Sequence, residues 1–265
     1  MLEIIDSGVA QINKREKAAR LNKAYYPDQP TGQDAWVADK DNGVFAVADG
    51  VAQSPDADKA AQAACHEFLT RLTGSDRPQT AEQAKDLIKH HDLLGHLHRA
   101  ALQADAMTTF TGMVVTPDDM MTYVHVGDSR LYLRRGDQIE ALTSEQVIDN
   151  KYRNMLYNYL GYDKYYDRIR SINLTPQPNT MAGYPLAQAE WGTRQLQAND
   201  RFLLVTDGVT GDLDADRLSD ETLLLHTSLK LGAAAAAYAL VDRSTKIDDT
   251  TAVVFDIGTS GKTSV

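Results

Sequence analysis

The chain of 265 residues contains 43% hydrophobic and 24% charged residues, which excludes a wholly disordered or fibrous protein. Its 37 acidic and 27 basic residues give a formal net charge of −10, which disfavours binding to nucleic acid or to an anionic membrane surface. We expect a single domain over residues 1–265, because α/β folds of about 250 residues often form one unit.

Cellular context is predicted from the cysteine content and the apolar runs. Cys65 is the one cysteine, which excludes an intrachain disulfide and a zinc site built on several thiolates. The N-terminus has no signal-peptide pattern, and the longest apolar run, Gly232–Leu240, is too short to cross a bilayer. We therefore expect a cytoplasmic protein that does not bind membranes. The sequence leaves its oligomeric state open.

The first half of the chain combines a hairpin with helices. Asn13–Gly32 is basic and ends in a turn cluster, so we expect an irregular segment. Ala35–Val37 and Val44–Ala48 flank an Asp-Asn-Gly turn, which predicts a β-hairpin. Apolar residues at helical spacing predict a helix over Ala57–Leu72 and another over Thr80–Ala101.

Short strands dominate the second half. Strands are predicted over Gly112–Thr116, Met121–Val126, Arg130–Arg134, Ile139–Leu142, Arg201–Val205 and Thr251–Ile257. Lys151–Gly183 shows no regular period, and Leu223–Val241 is predicted to be helical. Because strands and helices are grouped rather than alternating one by one, we predict antiparallel sheets covered by helices, an α/β layered sandwich of the α+β kind.

Acidic residues recur where the predicted strands begin or end. These residues are Asp49, Asp128, Asp207, Asp248 and Asp249. A single aspartate in such a place is most often a turn former or a helix cap. If the strand ends converge, however, several carboxylates meet, and such a cluster needs a cation to stay ionised. Hard oxygen ligands without cysteine indicate Mg²⁺ or Mn²⁺ rather than zinc.

Four blocks in order resemble the metal-dependent protein phosphatases of type 2C, bacterial single-domain members included. The blocks are Val44–Gly50, Val126–Leu133, Asp200–Thr210 and Asp248–Val254. The resemblance extends from about Asp34 to Ile257, and it implies two antiparallel β-sheets flanked by antiparallel helices. It also implies hydrolysis of phosphoserine and phosphothreonine in phosphoprotein substrates by a water molecule activated between two metal ions.

The resemblance implies roles for particular residues. Asp49 would bridge two metal ions, and the carbonyl of Gly50 would help to hold one of them. Asp207 and Asp248 would bind the same inner ion as Asp49. The glycine suits this role because a residue without a side chain lets its carbonyl approach a metal. The cofactor would be Mn²⁺ or Mg²⁺, with two or three ions bound.

The remaining candidate positions match the family's pattern less closely. Asp128, with Asp207, would support a third and weaker ion, and Asp34 would lie near the outer ion. Gln33 stands where the family usually has a glutamate, and the family's phosphate-binding arginine has no counterpart just before Asp34. The nearby basic residues that could replace that arginine are Lys14, Arg15, Arg20 and Lys23.

Two other functions stay open at this stage. Because of Gln33 and the missing arginine, the chain could be a phosphatase-like module that binds a partner with little turnover. It could also be a two-metal phosphoesterase that acts on a small molecule. Residues that bind the substrate and a general acid for the leaving group are not identified by the sequence.

Overall fold

A computed structural model describes residues 2–21, 31–51, 54, 56–89, 93–147, 156, 158–161, 189–210 and 230–259. The helices are α1 (Lys14–Arg20), α2 (Ala57–Leu72), α3 (Ala81–Lys89), α4 (Leu93–Gln103), α5 (Asp207–Thr210) and α6 (Ala233–Arg243). The strands are β1 (Leu2–Ile12), β2 (Asp34–Asp39), β3 (Val44–Asp49), β4 (Met107–Thr108), β5 (Phe110–Thr116), β6 (Met120–Val126), β7 (Arg130–Arg135), β8 (Gln138–Ala141), β9 (Leu160–Gly161), β10 (Glu190–Gln195), β11 (Arg201–Val205) and β12 (Thr250–Thr259).

The described strands form two five-stranded antiparallel sheets. Sheet 1 has the order β1-β12-β11-β7-β8, and sheet 2 has the order β10-β6-β5-β3-β2. A small additional sheet joins β4 to β9. The predicted sandwich of two antiparallel sheets with helices is confirmed.

Alternation along the strands sorts the side chains into layers. In β3, Phe45 and Val47 pack between the two sheets, whereas Val44, Ala46 and Ala48 pack against the helices on the other side of sheet 2. This is the two-residue period expected of a strand that is buried on both faces.

Aromatic rings join the two sheets, and helices cover their outer faces. Phe45 of sheet 2 stacks on Phe255 of sheet 1, with 3.9 Å between ring centroids. Helices α2, α3 and α4 cover the outer face of sheet 2, and α6 covers the outer face of sheet 1. None of the described helices combines the length and the apolar composition needed to cross a bilayer.

Several elements differ from the sequence-based predictions. Lys14–Arg20, predicted to be irregular, is a helix whose first turn is capped by the Asn13 side chain, with 2.9 Å from Glu16 N to Asn13 Oδ1. The single helix predicted over Thr80–Ala101 is described as two helices, α3 and α4. Strands β1 and β10 were not predicted.

Strand β1 is only partly buried, and polar residues stand in its middle. A side chain at Gly8 would place its Cβ 2.1 Å from Ala234 Cα, so only glycine allows the close approach of α6. Asp6 Oδ2 accepts a hydrogen bond from Ala233 N at 2.8 Å and satisfies the first turn of α6. Both residues therefore serve the contact between strand and helix.

Two predicted segments lie mainly outside the described residues. For Lys151–Gly183 only residues 156 and 158–161 are described, and for Leu223–Val241 the described part starts at residue 230. Within that part, the predicted helix is present as α6.

Candidate metal centre

Strand ends from sheet 1 bring three aspartates together. Val205, the last residue of β11, pairs with Arg130 of β7 on one side and with Ala252 of β12 on the other. Residues that follow β11 or that precede β7 and β12 are therefore neighbours in space. The aspartates in these places are Asp128, Asp207 and Asp248.

Sheet 2 adds two further aspartates at the same end. Asp34 and Asp49 face each other across the β2–β3 ladder. Asp49 follows Phe45 and Val47 by the two-residue period, so it belongs to the face of sheet 2 that meets sheet 1. The carboxylates of both sheets thus converge at one edge of the sandwich.

Asp34 is held between the sheets by two threonines. Its Oδ2 accepts hydrogen bonds from Thr206 Oγ1 at 2.9 Å and from Thr251 Oγ1 at 2.7 Å. Thr251 lies in β12 of sheet 1, and Thr206 directly follows β11 of the same sheet. Burial raises the pKa of Asp34 to about 7, although the two hydroxyl groups oppose this shift. Asp34 Oδ1 is buried and has no hydrogen-bond partner among the described atoms.

The backbone of Asp49 is fixed by neighbouring threonines. Asp49 N donates to Thr109 Oγ1 at 3.0 Å, and Asp49 O accepts from Thr109 N at 2.8 Å and from Thr108 Oγ1 at 2.9 Å. Burial raises the pKa of the Asp49 side chain well above its usual range. The carboxylates that raise it further are those of Asp34, Asp207, Asp248 and Asp128. Asp49 is therefore within electrostatic reach of the four other candidate ligands.

Asp207 and Asp248 share a lysine. Lys246 Nζ donates to Asp207 Oδ2 and also to Asp248 Oδ2, the latter at 2.9 Å. Burial alone would raise the pKa of Asp207, but the Lys246 ammonium holds it below its usual range. For Asp248, burial and the charge of Asp207 prevail, and its pKa is raised. The Asp207 Oδ1 atom is buried without a described hydrogen-bond partner.

Asp128 lies in the turn between β6 and β7. Burial and the neighbouring charge of Asp207 raise the pKa of Asp128 to about 8. The turn is fixed by Gln146, whose Oε1 accepts from Gly127 N at 2.9 Å. All five predicted aspartates are thus brought together, while their role as metal ligands stays a prediction.

Gly50 has a structural reason for being glycine in addition to its predicted role. A Cβ at this position would lie 2.6 Å from Ala57 O and 2.8 Å from Gln33 O. The start of α2 and the start of β2 are therefore packed directly against the Gly50 backbone. That its carbonyl helps to hold a metal stays a prediction.

Two lysines at this site were not predicted. Lys17 of α1 is only 2% exposed, and its Nζ donates to Gly208 O at 2.8 Å and to Thr250 Oγ1 at 2.6 Å. Burial lowers the pKa of Lys17 to about 8. Its position three residues after Lys14, on one face of a helix, was the available signal, and it required recognising α1. For Lys246, the available signal was its position two residues before the candidate ligand Asp248.

Asp249 anchors two backbone segments beside the site. Its Oδ1 accepts from Lys14 N at 2.8 Å and its Oδ2 accepts from Gln33 N at 2.9 Å, so one carboxylate anchors both α1 and the start of β2. Gln33 is itself buried, with 3% exposure. Asp249 therefore serves the backbone of two segments.

The basic residues considered as replacements for the missing arginine lie in different surroundings. Lys14 is buried, and its charge lowers the pKa of Asp248 against the prevailing upward shift. Arg15 is exposed, and Arg20 forms a surface ion pair with Asp242 at 3.4 Å. Lys23 lies outside the described residues.

The residues fit a hard divalent cation in donor chemistry and charge. Five carboxylates repel one another, and the buried oxygens Asp34 Oδ1 and Asp207 Oδ1 lack partners, which a cation would supply. Within the described ranges, no three His, Cys, Asp or Glu side chains are arranged so that they could hold a metal ion together. Lys246 stands between two of the donors.

Three solved structures with the same architecture are described as phosphatases. The PPM Ser-Thr phosphatase MsPP from Mycobacterium smegmatis is 20% identical, with a TM-score of 0.60 over 96% of this chain and 99% of that chain. The catalytic domain of the serine threonine protein phosphatase PstP, in complex with two manganese ions, is 19% identical, with a TM-score of 0.59 over 98% and 100%. The serine/threonine phosphatase Stp1 from Staphylococcus aureus is 16% identical, with a TM-score of 0.64 over 97% and 95%.

These likenesses define the fold as that of the PPM phosphatases. The family model described as Protein phosphatase 2C matches residues 26–237, and the chain belongs to that family. The family predicted from the four sequence blocks is therefore confirmed. None of the curated protein sequences compared with the chain matches it significantly.

Proposed function

We propose that this chain is a single catalytic domain that removes phosphate from phosphoserine and phosphothreonine in proteins, using two or three Mn²⁺ or Mg²⁺ ions. The proposed ligands are Asp34, Asp49, Gly50, Asp128, Asp207 and Asp248. Membership of the protein phosphatase 2C family supports the reaction, and the manganese ions in the PstP structure support the cofactor. The cytoplasmic location expected from the sequence stays a prediction.

The observation that carries the proposal is the convergence of five carboxylates from two sheets. A folded protein retains such a concentration of carboxyl groups, of which Asp34 is buried and the others are partly buried, at a cost, because desolvation and repulsion raise the pKa values of Asp34, Asp49 and Asp128. Asp249, a structural aspartate, uses both of its oxygens as hydrogen-bond acceptors, whereas Asp34 Oδ1 and Asp207 Oδ1 have no described partner. The arrangement is suited to divalent cations.

The protein residues position the groups that react. When bound, a pair of divalent cations supplies an activated water and neutralises charge on the phosphoryl oxygens. Asp49 is fixed through its backbone and Asp34 through two hydroxyl groups, so both carboxylates are preorganised. Lys17 ties the Gly208 carbonyl to Thr250, which fixes α5, whose first residue is Asp207, relative to the connection that carries Asp248.

Activity assays with matched variants test this function. The wild-type protein should hydrolyse phosphoserine and phosphothreonine peptides only when Mn²⁺ or Mg²⁺ is supplied. Asp49→Asn and Asp207→Asn should each lower kcat by about 100-fold or more, since changes in outer-shell partners alone cost about 10–100-fold. Asp137→Asn, at an exposed turn position, is the control and should retain wild-type activity.

Substrate comparison separates the proposal from its alternatives. A small-molecule phosphoesterase would prefer nucleotide or sugar phosphates to phosphopeptides in kcat/KM. A binding module with little turnover would bind phosphopeptides but would hydrolyse neither them nor para-nitrophenyl phosphate at any Mn²⁺ concentration. Near-normal activity of Asp207→Asn would show that the metal assignment is wrong.

A further inference from the structure

The ammonium group of Lys246 lies among the candidate metal ligands. Its Nζ contacts Oδ2 of Asp207 and, at 2.9 Å, Oδ2 of Asp248. The Lys246 side chain is 14% exposed, so this is a largely buried contact rather than a surface ion pair. Lys246 lies in the short connection between α6 and β12, two residues before Asp248.

The position of this group has an electrostatic consequence. Its Nζ lies against one carboxylate oxygen of Asp207 and one of Asp248, so the ammonium group is paired with two acidic side chains. One ammonium group thus offsets part of the negative charge of two candidate ligands.

A metal ion and this ammonium group would compete for the same oxygens. The proposed inner ion would be bound by Asp49, Asp207 and Asp248, and two of these three carboxylates already hold Lys246. A carboxylate oxygen that accepts from the ammonium group cannot at the same time give that lone pair to a metal ion. The ammonium group must therefore move away when a metal ion enters.

We propose that Lys246 is a tethered counter-cation, which occupies the place of the inner metal ion in the metal-free protein and is displaced when the ion binds. This inference rests on the proposed metal site. Lys246 then stabilises the metal-free fold by keeping Asp207 and Asp248 paired. It also weakens metal binding, because each ion must first break these two contacts.

Metal titration of charge-removing and charge-retaining variants tests the inference. Lys246→Met keeps the apolar stem and removes the charge, so its affinity for Mn²⁺, measured by isothermal titration calorimetry, should rise about tenfold or more over wild type. Lys246→Arg keeps the charge and should not gain affinity. Lys85→Met is the matched control. It removes a lysine of α3 that pairs with Glu82 of the same helix, and it should bind Mn²⁺ like wild type.

A labelling experiment on the wild-type protein covers the case in which Lys246→Met does not fold. An amine-acylating reagent, followed by mass spectrometry, should modify Lys246 slowly without metal and faster with saturating Mn²⁺. Lys59, whose side chain is 64% exposed, is the internal reference and should react equally in both conditions.

The outcomes separate this inference from the proposed function. If wild type binds Mn²⁺ but Lys246→Met binds it no more tightly, or if Lys246 labelling is the same with and without Mn²⁺, the tethered-cation inference is wrong and the metal site stands. If neither wild type nor Lys246→Met takes up Mn²⁺, the proposed metal site itself is overturned, and this inference with it.

Discussion

Hydroxyl groups from sheet 1 determine how Asp34 of sheet 2 is presented. Thr206 and Thr251 both donate to Oδ2, so the other oxygen of Asp34 is left for a further partner. A carboxylate with one oxygen committed and the other directed into a charged site is a preorganised ligand. The contact also joins the two sheets at the edge where the proposed site lies.

His125 is a buried histidine outside the carboxylate cluster. Its Nε2 donates to Ser144 O at 2.9 Å, because a carbonyl can only accept, and its Nδ1 then accepts from Thr111 Oγ1 at 2.8 Å. Burial lowers its pKa to about 4. The folded protein therefore keeps His125 neutral at pH values where the unfolded chain is protonated.

This difference predicts a pH-dependent contribution to stability. Below the unfolded pKa of about 6.5, the unfolded chain binds a proton that the folded one does not, so the contribution of His125 falls as the pH decreases from 6.5 to 4. We expect the free-energy difference between wild type and His125→Gln to shrink by up to about 3 kcal/mol over that range. Urea unfolding at several pH values measures it.

A non-titrating variant of the same strand is the control. Thr122→Val changes a buried hydroxyl of β6, and its effect on the free energy of unfolding should be the same at each pH. If the difference between wild type and His125→Gln also stayed constant from pH 7 to pH 4, the neutral, buried His125 would be contradicted.

The sequence predicted the acidic residues of the site better than its basic ones. Asp49, Asp128, Asp207 and Asp248 follow or precede apolar strands, a pattern visible without any structure. Lys17 and Lys246 carry no such pattern, because their contacts reach residues more than 190 and about 40 positions away, respectively. Long-range pairing of this kind is a property of the folded chain.

Helices and strands with a regular apolar period were predicted from the sequence, whereas a strand without one was missed. The hairpin β2–β3, the helix α2 and the buried strand β11 have a clear period and were predicted closely. Strand β1 was missed because its residues are only partly buried and include Asp6, Ser7 and Gly8, which disfavour strands. Its pairing with β12, which spans most of its length, overrides this weak propensity.

The close contact of α6 with β1 predicts a large effect of a small substitution. In Gly8→Ala, the added Cβ would lie 2.1 Å from Ala234 Cα and 2.4 Å from Ala234 N, both backbone atoms that cannot move independently. The helix must shift away from the sheet, so we expect a loss of about 1–3 kcal/mol in the free energy of unfolding. The midpoint of urea unfolding measures this loss.

Gly232 at the start of the same helix provides the comparison. A Cβ there would approach only Asp6 Oδ2, at 3.4 Å, so Gly232→Ala should cost at most about 1 kcal/mol through the cap position. Equal effects of the two substitutions would contradict the packing argument for Gly8.

At the scale of the whole molecule, the sandwich concentrates negative charge at one edge. The chain has a formal net charge of −10, and its five candidate ligands repel one another there. Two lysines, Lys17 and Lys246, offset part of this charge. The metal-free fold is therefore destabilised locally by groups that the proposed function requires.

The repulsion among these carboxylates predicts that divalent cations stabilise the fold. At a Mn²⁺ concentration of about 100 times Kd, binding to the folded state alone adds about 2.7 kcal/mol. For a domain of this size we expect a rise in Tm of about 5–10 °C, measured by calorimetry against NaCl of equal ionic strength.

A variant distinguishes specific binding from general screening of charge. Asp49→Asn removes the carboxylate whose pKa is raised by the four other candidate ligands. Without metal, the Tm of this variant should therefore be higher than that of wild type. With Mn²⁺ its Tm should rise by less than half of the wild-type shift, because a central ligand is missing. If Mn²⁺ raised the Tm of Asp49→Asn and of wild type equally, the ion would bind elsewhere, and the convergence of carboxylates would not be the source of the stabilisation.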